Sequence, residues 1–120
     1  MIIIYNTRFL QSIGSRVPGI RGITLFPFII LREDIKGSPE AGETINHELI
    51  HARQQTELLV LLFALWYLIS YIAGRLKGLG RYEAYRNIIF EREAFDMMHD
   101  PEYLGWRRPF SFLKYRKRRP

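Results

Sequence analysis

The chain has 120 residues, 48% hydrophobic and 14% aromatic, which describes one domain (residues 1–120) with a modest core and excludes a disordered polypeptide. It has no cysteine, so disulfides, thiolate metal sites and cysteine nucleophiles are excluded together, and no oxidising compartment is required. The net charge of +6 is uneven: residues 1–73 hold six Lys/Arg and six Asp/Glu, whereas residues 74–120 hold twelve and six. Such a basic half suits an anionic membrane surface, although solubility alone also accounts for it, and nucleic acid is not the expected partner. Met1–Ile4 is apolar but lacks a secretory pattern, which places the expected location in the cytoplasm or on the cytoplasmic face of a membrane.

Ile2–Tyr5, β-branched and aromatic, predicts a strand. Residues 6–22, with Gly14, Pro18, Gly19 and Gly22, predict a loop with one helical turn near Arg8–Ile13. Ile23–Leu31 predicts a second strand, and because Pro27 cannot donate to a ladder it should lie at a sheet edge or break there. Arg32–Gly37 leaves the sheet, and Ser38-Pro39-Glu40 starts a helix, with Thr44 as a second candidate cap.

That helix carries His47-Glu48-Leu49-Ile50-His51. At about 3.6 residues per turn, His47 and His51 stack on one face, where two imidazoles can bind one zinc ion and Glu48 can reach an activated water. The helix then runs into Leu58–Ala73, sixteen residues without a charge. A full span needs about twenty such residues. Three readings therefore compete: a buried core helix, a helix lying along or partly inserted in a membrane, and a true span; the same face also offers a route to oligomers.

Gly74–Gly80 ends the helix. Another is predicted from Tyr82 to His99, stopped by Asp100-Pro101. After it, Trp106, Phe110, Phe112 and Tyr115 should pack back on the core, leaving 116–120 as a basic tail. The fold class is thus α+β and mostly helical, with a short N-terminal sheet, a motif helix running into an apolar helix, and a Glu-bearing helix after them.

A catalytic two-His site needs a third protein ligand and an open fourth position. Ala84, Ile88, Phe95 and Met98 form one apolar stripe with Glu91 in its middle, and a carboxylate aimed into a core needs a partner such as a metal. Glu93, on the other side among Tyr82, Ile89 and Met97, is the second choice. Without metal, Glu91 would pair with Arg53 or Arg86. Length adds a constraint, since His51 to Arg75 is about 36 Å as a straight helix and Tyr82 to Glu91 only about 14 Å. The apolar helix should therefore bend or break near Ser70–Gly74, or the 74–81 loop must cover the distance. His99, eight residues beyond Glu91, is the third-choice ligand.

The pair of motifs, His47-Glu48-x-x-His51 and then Glu91-x-x-Ala94, resembles the gluzincin metallopeptidases over about residues 23–98. It is most similar to the prenyl-protein and heat-shock membrane endopeptidases and to the peptidase domains of β-lactam-sensing receptors, in which an apolar helical segment separates the motifs. The resemblance implies a zinc cofactor held by His47, His51 and Glu91, with Glu48 as general base for water attacking a peptide bond. It also implies substrate lying on an edge strand before the motif helix, which here means Phe26, Phe28 and Ile30. The membrane endopeptidases have an Asp after that Ala, where this chain has Phe95. Tyr82, Tyr85 and His99 are candidate donors to the carbonyl oxygen. The reading is a membrane-associated zinc hydrolase acting on peptide or protein; its alternatives are a non-catalytic zinc-stabilised domain and a basic membrane adaptor.

Overall fold

The computed structural model describes residues 1–14 and 20–116. Residues 15–19 of the expected loop and 117–120 of the expected tail lie outside the described residues.

Pro27 divides the second strand. Gly22–Leu25 (β2) and Phe28–Leu31 (β3) form a hairpin around a cis Phe26–Pro27 bond, and Ile2–Tyr5 (β1) joins β3 in parallel, giving the order β1-β3-β2. Proline sits in the turn, where no ladder donor is required of it. The central strand is therefore β3, and the edge strand next to the helices is β2. Ile29 and Leu31 point to a buried face, where they join Ile35 and pack against Ala41, Ile45 and Leu49. Phe28, one residue out of phase with Ile29, is on the other face and exposed.

The expected turn at Arg8–Ile13 is the helix Thr7–Gly14 (α1), begun by the Phe9 N–H donating to Asn6 Oδ1 at 3.0 Å. The motif helix (α2) spans Ala41–Leu76, and neither Ser38 nor Thr44 caps it: it starts between them, after Glu40. It is not straight. Leu59 has φ 61° and ψ 144°, so α2 is two arms joined by a sharp kink. The bend expected near Ser70–Gly74 is thus nearer the motif, and it folds the apolar arm back across it. The rings of His51 and Phe63 are 6.2 Å apart, whereas twelve residues of straight helix would separate them by about 18 Å.

The helix expected over Tyr82–His99 is also broken. Arg81–Asn87 (α3) and Ile89–Met97 (α4) meet at Ile88, which is extended. Gly74 lets α3 approach the apolar arm closely, since a Cβ there would lie 3.1 Å from that of Ala84. The C-terminal segment adds a short helix Tyr103–Trp106 (α5) and a 3₁₀ turn Ser111–Tyr115. Of its aromatic residues, Phe112 enters the core with Phe63, Ile88 and Phe90, while Trp106 and Phe110, contrary to expectation, remain exposed.

Only one face of the apolar arm is covered. Phe63 and Gly74 are buried, whereas Leu61 is 79% and Ile69 57% exposed, with Leu62, Leu65, Leu68 and Ile72 alongside. A wholly buried core helix is therefore not what the fold contains. The arm after the kink, Val60–Leu76, is about 25 Å long, short of a hydrocarbon core of about 30 Å.

Candidate metal centre

The first arm of α2 carries His47 and His51 one turn apart, and the break at Ile88 sets α4 so that Glu91 meets them. Glu91 Oε1 lies 3.0 Å from His47 Nε2 and 2.9 Å from His51 Nε2, and the two Nε2 atoms are 3.1 Å apart. Ligand atoms around a tetrahedral zinc are about 3.3 Å apart, so this triangle is close to what zinc needs. All three residues are buried, as is Glu48, whose carboxylate belongs to the same cluster, with ligand atoms of His47, Glu48 and His51 within 4.8 Å of one another.

The hydrogen bonds around the triangle orient its lone pairs. His51 Nδ1–H donates to Gln54 Oε1 at 2.8 Å, leaving Nε2 as the acceptor face. His47 Nδ1 lies 3.4 Å from Met98 Sδ, a weak acceptor, which is compatible with the same tautomer. Tyr67, on the folded-back arm, donates to Glu91 Oε2 at 2.6 Å, so Oε1 alone faces the imidazoles. The two Nε2 atoms and Glu91 Oε1 thus converge on one point, an arrangement that could hold a metal ion or share a proton.

The electrostatics agree. Burial alone would lower the His51 pKa, but the adjacent Glu91 carboxylate outweighs it and holds the imidazole at about 9. Glu91 is pushed up by burial but brought well below the usual carboxylate range by His51 and His47. Glu48 is raised by burial, against the pull of His47 and His51. Thr24 Oγ1 on β2 donates to the Glu48 backbone oxygen at 3.0 Å and lies 3.3 Å from its Oε1.

Glu93, the second-choice ligand, is fully buried for another reason. It accepts from Arg107 Nε and Tyr103 OH, each at 2.5 Å, and from Gln54 Nε2 at 2.9 Å. Arg107 also forks onto Glu57 at 2.8 and 3.0 Å. Glu93 therefore supports His51 through Gln54 instead of joining the triangle. His99, the third choice, is exposed and pairs with Glu43, outside the triangle. Neither Arg53 nor Arg86 pairs with Glu91.

The expected substrate strand is also corrected. Phe28 and Ile30 lie on the central strand, whose main chain is paired on both sides, and the Phe26 N–H donates to Gln55 Oε1 at 2.7 Å. Gln55 Nε2 donates to the Thr24 carbonyl at 2.7 Å, so this one amide clips the hairpin to α2. The strand edge facing the site is β2. There Arg21 O accepts from Arg32 N, and the antiparallel alternation turns the Gly22 N–H and C=O outward. Gly22 is also close to the motif: a Cβ on it would lie 3.4 Å from Glu48 Cγ.

A cleft of about 620 Å³ opens beside His47 and Glu48, walled by Gly22, Tyr85, Arg86 and Phe95. Tyr82, Tyr85 and His99, the candidate donors, all line it. Phe95 packs edge-on against His47 with ring centroids 4.5 Å apart. Residues that the sequence reading missed are Tyr67, Gln54, Met98, Thr24 and Arg107. Gln54 had a readable signal, since it follows His51 by three residues and shares its helix face; Tyr67 and Arg107 come from segments whose return depends on the kink and on the C-terminal fold.

Compared with protein-family models, curated proteins and solved structures, the chain has no match.

Proposed function

We propose that the chain is a zinc-dependent, gluzincin-like metallopeptidase that works next to a membrane surface. The observation that carries this reading is the convergence of His47 Nε2, His51 Nε2 and Glu91 Oε1 within 2.9–3.1 Å, with Glu48 beside them at the end of a cleft. The donor set, two imidazoles and one carboxylate oxygen, suits zinc and leaves a position free for catalysis. Bound zinc would supply an activated water and polarise the scissile carbonyl.

The remaining chemistry belongs to the chain. Glu48 accepts a proton from water in the cleft, a step that its raised affinity for protons favours, and then passes it to the leaving amine. The outward Gly22 N–H and C=O offer main-chain hydrogen bonds to an extended peptide. Tyr85, on α3, lines the cleft and interacts with Glu91 and Glu48, and its hydroxyl is the candidate donor to a carbonyl oxygen if substrate draws it from Glu91.

The test compares wild type with Glu48→Gln on a mixed peptide library, with zinc content measured in both. Hydrolysis by the wild type alone, at equal zinc, is the expected result. Equal cleavage by both, or none by zinc-loaded wild type with lipid present, would replace this reading with a non-catalytic zinc-stabilised domain. One observation favours that second reading: the core consists of small separate clusters of three or four buried residues, which a metal bridging α2 and α4 would join.

A further inference from the structure

We propose that Arg86 is a carboxylate-recognition residue of this cleft, and that the peptides it accepts carry a carboxylate close to the scissile bond. The inference deepens the peptidase reading and rests on it.

Arg86 is on α3, at the wall of the cleft. Its guanidinium lies over the Phe95 ring, 3.7 Å from the centroid, and Phe95 in turn packs on His47 at 4.5 Å. These two contacts, 3.7 and 4.5 Å, place the guanidinium within about 8 Å of the His47 ring centroid. That is about two residues of extended peptide. One nitrogen, Nη1, donates to Tyr82 OH at 3.0 Å. Stacking and this hydrogen bond fix the plane of the group.

Its other donors have no carboxylate partner among the described residues. Two neighbouring side chains in the cleft do have partners: Arg32 forks onto Asp34 at 3.0 and 3.1 Å, and His99 lies against Glu43. Arg21 and Glu40 also reach the rim, but no stacking or hydrogen bond given by their side chains holds them there. A stacked arginine on a protein surface is commonly a packing cap for the ring beneath it. Here the ring beneath is the one against His47, so the stack that caps Phe95 also holds the guanidinium at the wall of this cleft, on the ridge between it and a second hollow lined by Glu83, Asn87 and Asp96. Arg86 is exposed, but a guanidinium held by one stack and one hydrogen bond has less side-chain entropy left to lose on binding, and its geometry matches two carboxylate oxygens.

Two sources supply that carboxylate: the chain terminus of a short peptide, or an acidic side chain. The experiment separates them with thiol probes and full-length, zinc-loaded protein, measured by calorimetry. The first pair is mercaptoacetyl-leucine and its carboxamide; the second is mercaptoacetyl-glutamate α-amide and mercaptoacetyl-glutamine α-amide. We expect the acid of one pair to bind about tenfold tighter than its neutral partner, as one charge-assisted fork provides. Preference in the leucine pair identifies the chain terminus, and preference in the glutamate pair identifies an acidic side chain. Arg86→Gln should abolish the preference while keeping wild-type zinc content and affinity for the neutral probes.

Equal binding of acid and neutral probes by wild type overturns the proposal and leaves the zinc site standing. So does a preference that survives in Arg86→Gln. Loss of the preference in Arg53→Gln, which removes an exposed charge outside the cleft, would assign it to overall charge and overturn the role of Arg86 as well. Failure to take up zinc, or to bind any thiol, removes the peptidase reading and this inference with it.

Discussion

Tyr67 donates a 2.6 Å hydrogen bond to Glu91 Oε2, although sixteen residues of α2 separate it from His51, the partner of Glu91 Oε1. A straight helix would hold Tyr67 and His51 about 24 Å apart. The kink at Leu59 falls midway, eight residues from each, and closes that distance. The apolar arm is therefore part of the candidate metal centre: it provides the hydroxyl that leaves a single carboxylate oxygen facing the histidines.

From this contact, Tyr67→Phe should weaken zinc binding. The substitution keeps the ring, which packs against Phe63, and removes only the donor. Glu91 Oε2 is then buried without its partner, at a cost of about 1–3 kcal/mol, and the ligand loses its orientation. Zinc affinity, measured by chelator competition, should fall by about 10- to 100-fold, as for loss of other groups that hydrogen-bond a ligand. Unchanged affinity would show that the two histidines and the α4 backbone position Glu91 without help.

The geometry separates three carboxylate or imidazole groups, Glu91, Glu93 and His99, that the sequence could only rank. Single variants His47→Ala, His51→Ala and Glu91→Ala should lose stoichiometric zinc, and His99→Ala should keep it. Glu93→Ala should act on stability instead, because it leaves the Arg107 guanidinium buried with only Glu57 as charged partner. Breaking a buried pair in this way costs about 3–5 kcal/mol, which chemical denaturation can read. A folded Glu93→Ala protein of normal stability that has lost its zinc would return Glu93 to the ligand set.

How much of this was legible follows from which interactions are local. The His47, Glu48 and His51 arrangement is fixed by helical period alone. Glu91 could be ranked above Glu93 because a lone carboxylate sat in an apolar stripe, yet that ranking assumed one straight helix, and the chain breaks at Ile88. Glu93 looked ambiguous because its partner, Arg107, lies fourteen residues on, in a segment with no periodic pattern to place it. Pro27 announced a break but not which half would lie at the sheet edge; that depended on β1 pairing with β3, a contact between residues far apart in sequence. The length mismatch between helices called for a bend in α2 or a long reach by the 74–81 loop, while nothing in Leu58-Leu59-Val60 marked the place of the bend.

Leu59 gives a prediction about backbone strain. With φ 61° and ψ 144° it occupies a region that glycine enters at little cost and other residues do not. Its side chain is 67% exposed, so truncating it removes little packing. Leu59→Gly should therefore be more stable than Leu59→Ala, by about 1 kcal/mol, reversing the order that holds inside a regular helix. Thermal melts of the two variants at equal zinc content decide it. The usual order, with Ala the more stable, would mean that the kink is absent in solution and that α2 is straight there.

The exposed face of the apolar arm leads to the last prediction. Leu61, Leu62, Leu65, Leu68, Ile69 and Ile72 form a continuous strip with no charged residue between Leu58 and Ala73. Monomeric soluble proteins rarely present an apolar strip of this kind unless it binds something. Arg75 and Lys77 follow at the end of the arm, where they can meet anionic headgroups. The kink prevents α2 from crossing as one rod, and the second arm alone is short for a span, which favours a helix lying in the interface with its inner face still on the His47–His51–Glu91 cluster. We predict that the protein sediments with phosphatidylcholine–phosphatidylserine vesicles and stays bound in a high-salt wash, because salt screens the basic contribution but not the apolar one. Replacing Leu65 and Ile69 together by Gln, both outward-facing and more than half exposed, should release it without lowering zinc content. A wild-type protein that stays in the supernatant as a dimer would assign the strip to a second copy of the chain. One that stays there as a monomer would show that the strip needs neither partner, and the membrane reading would fall.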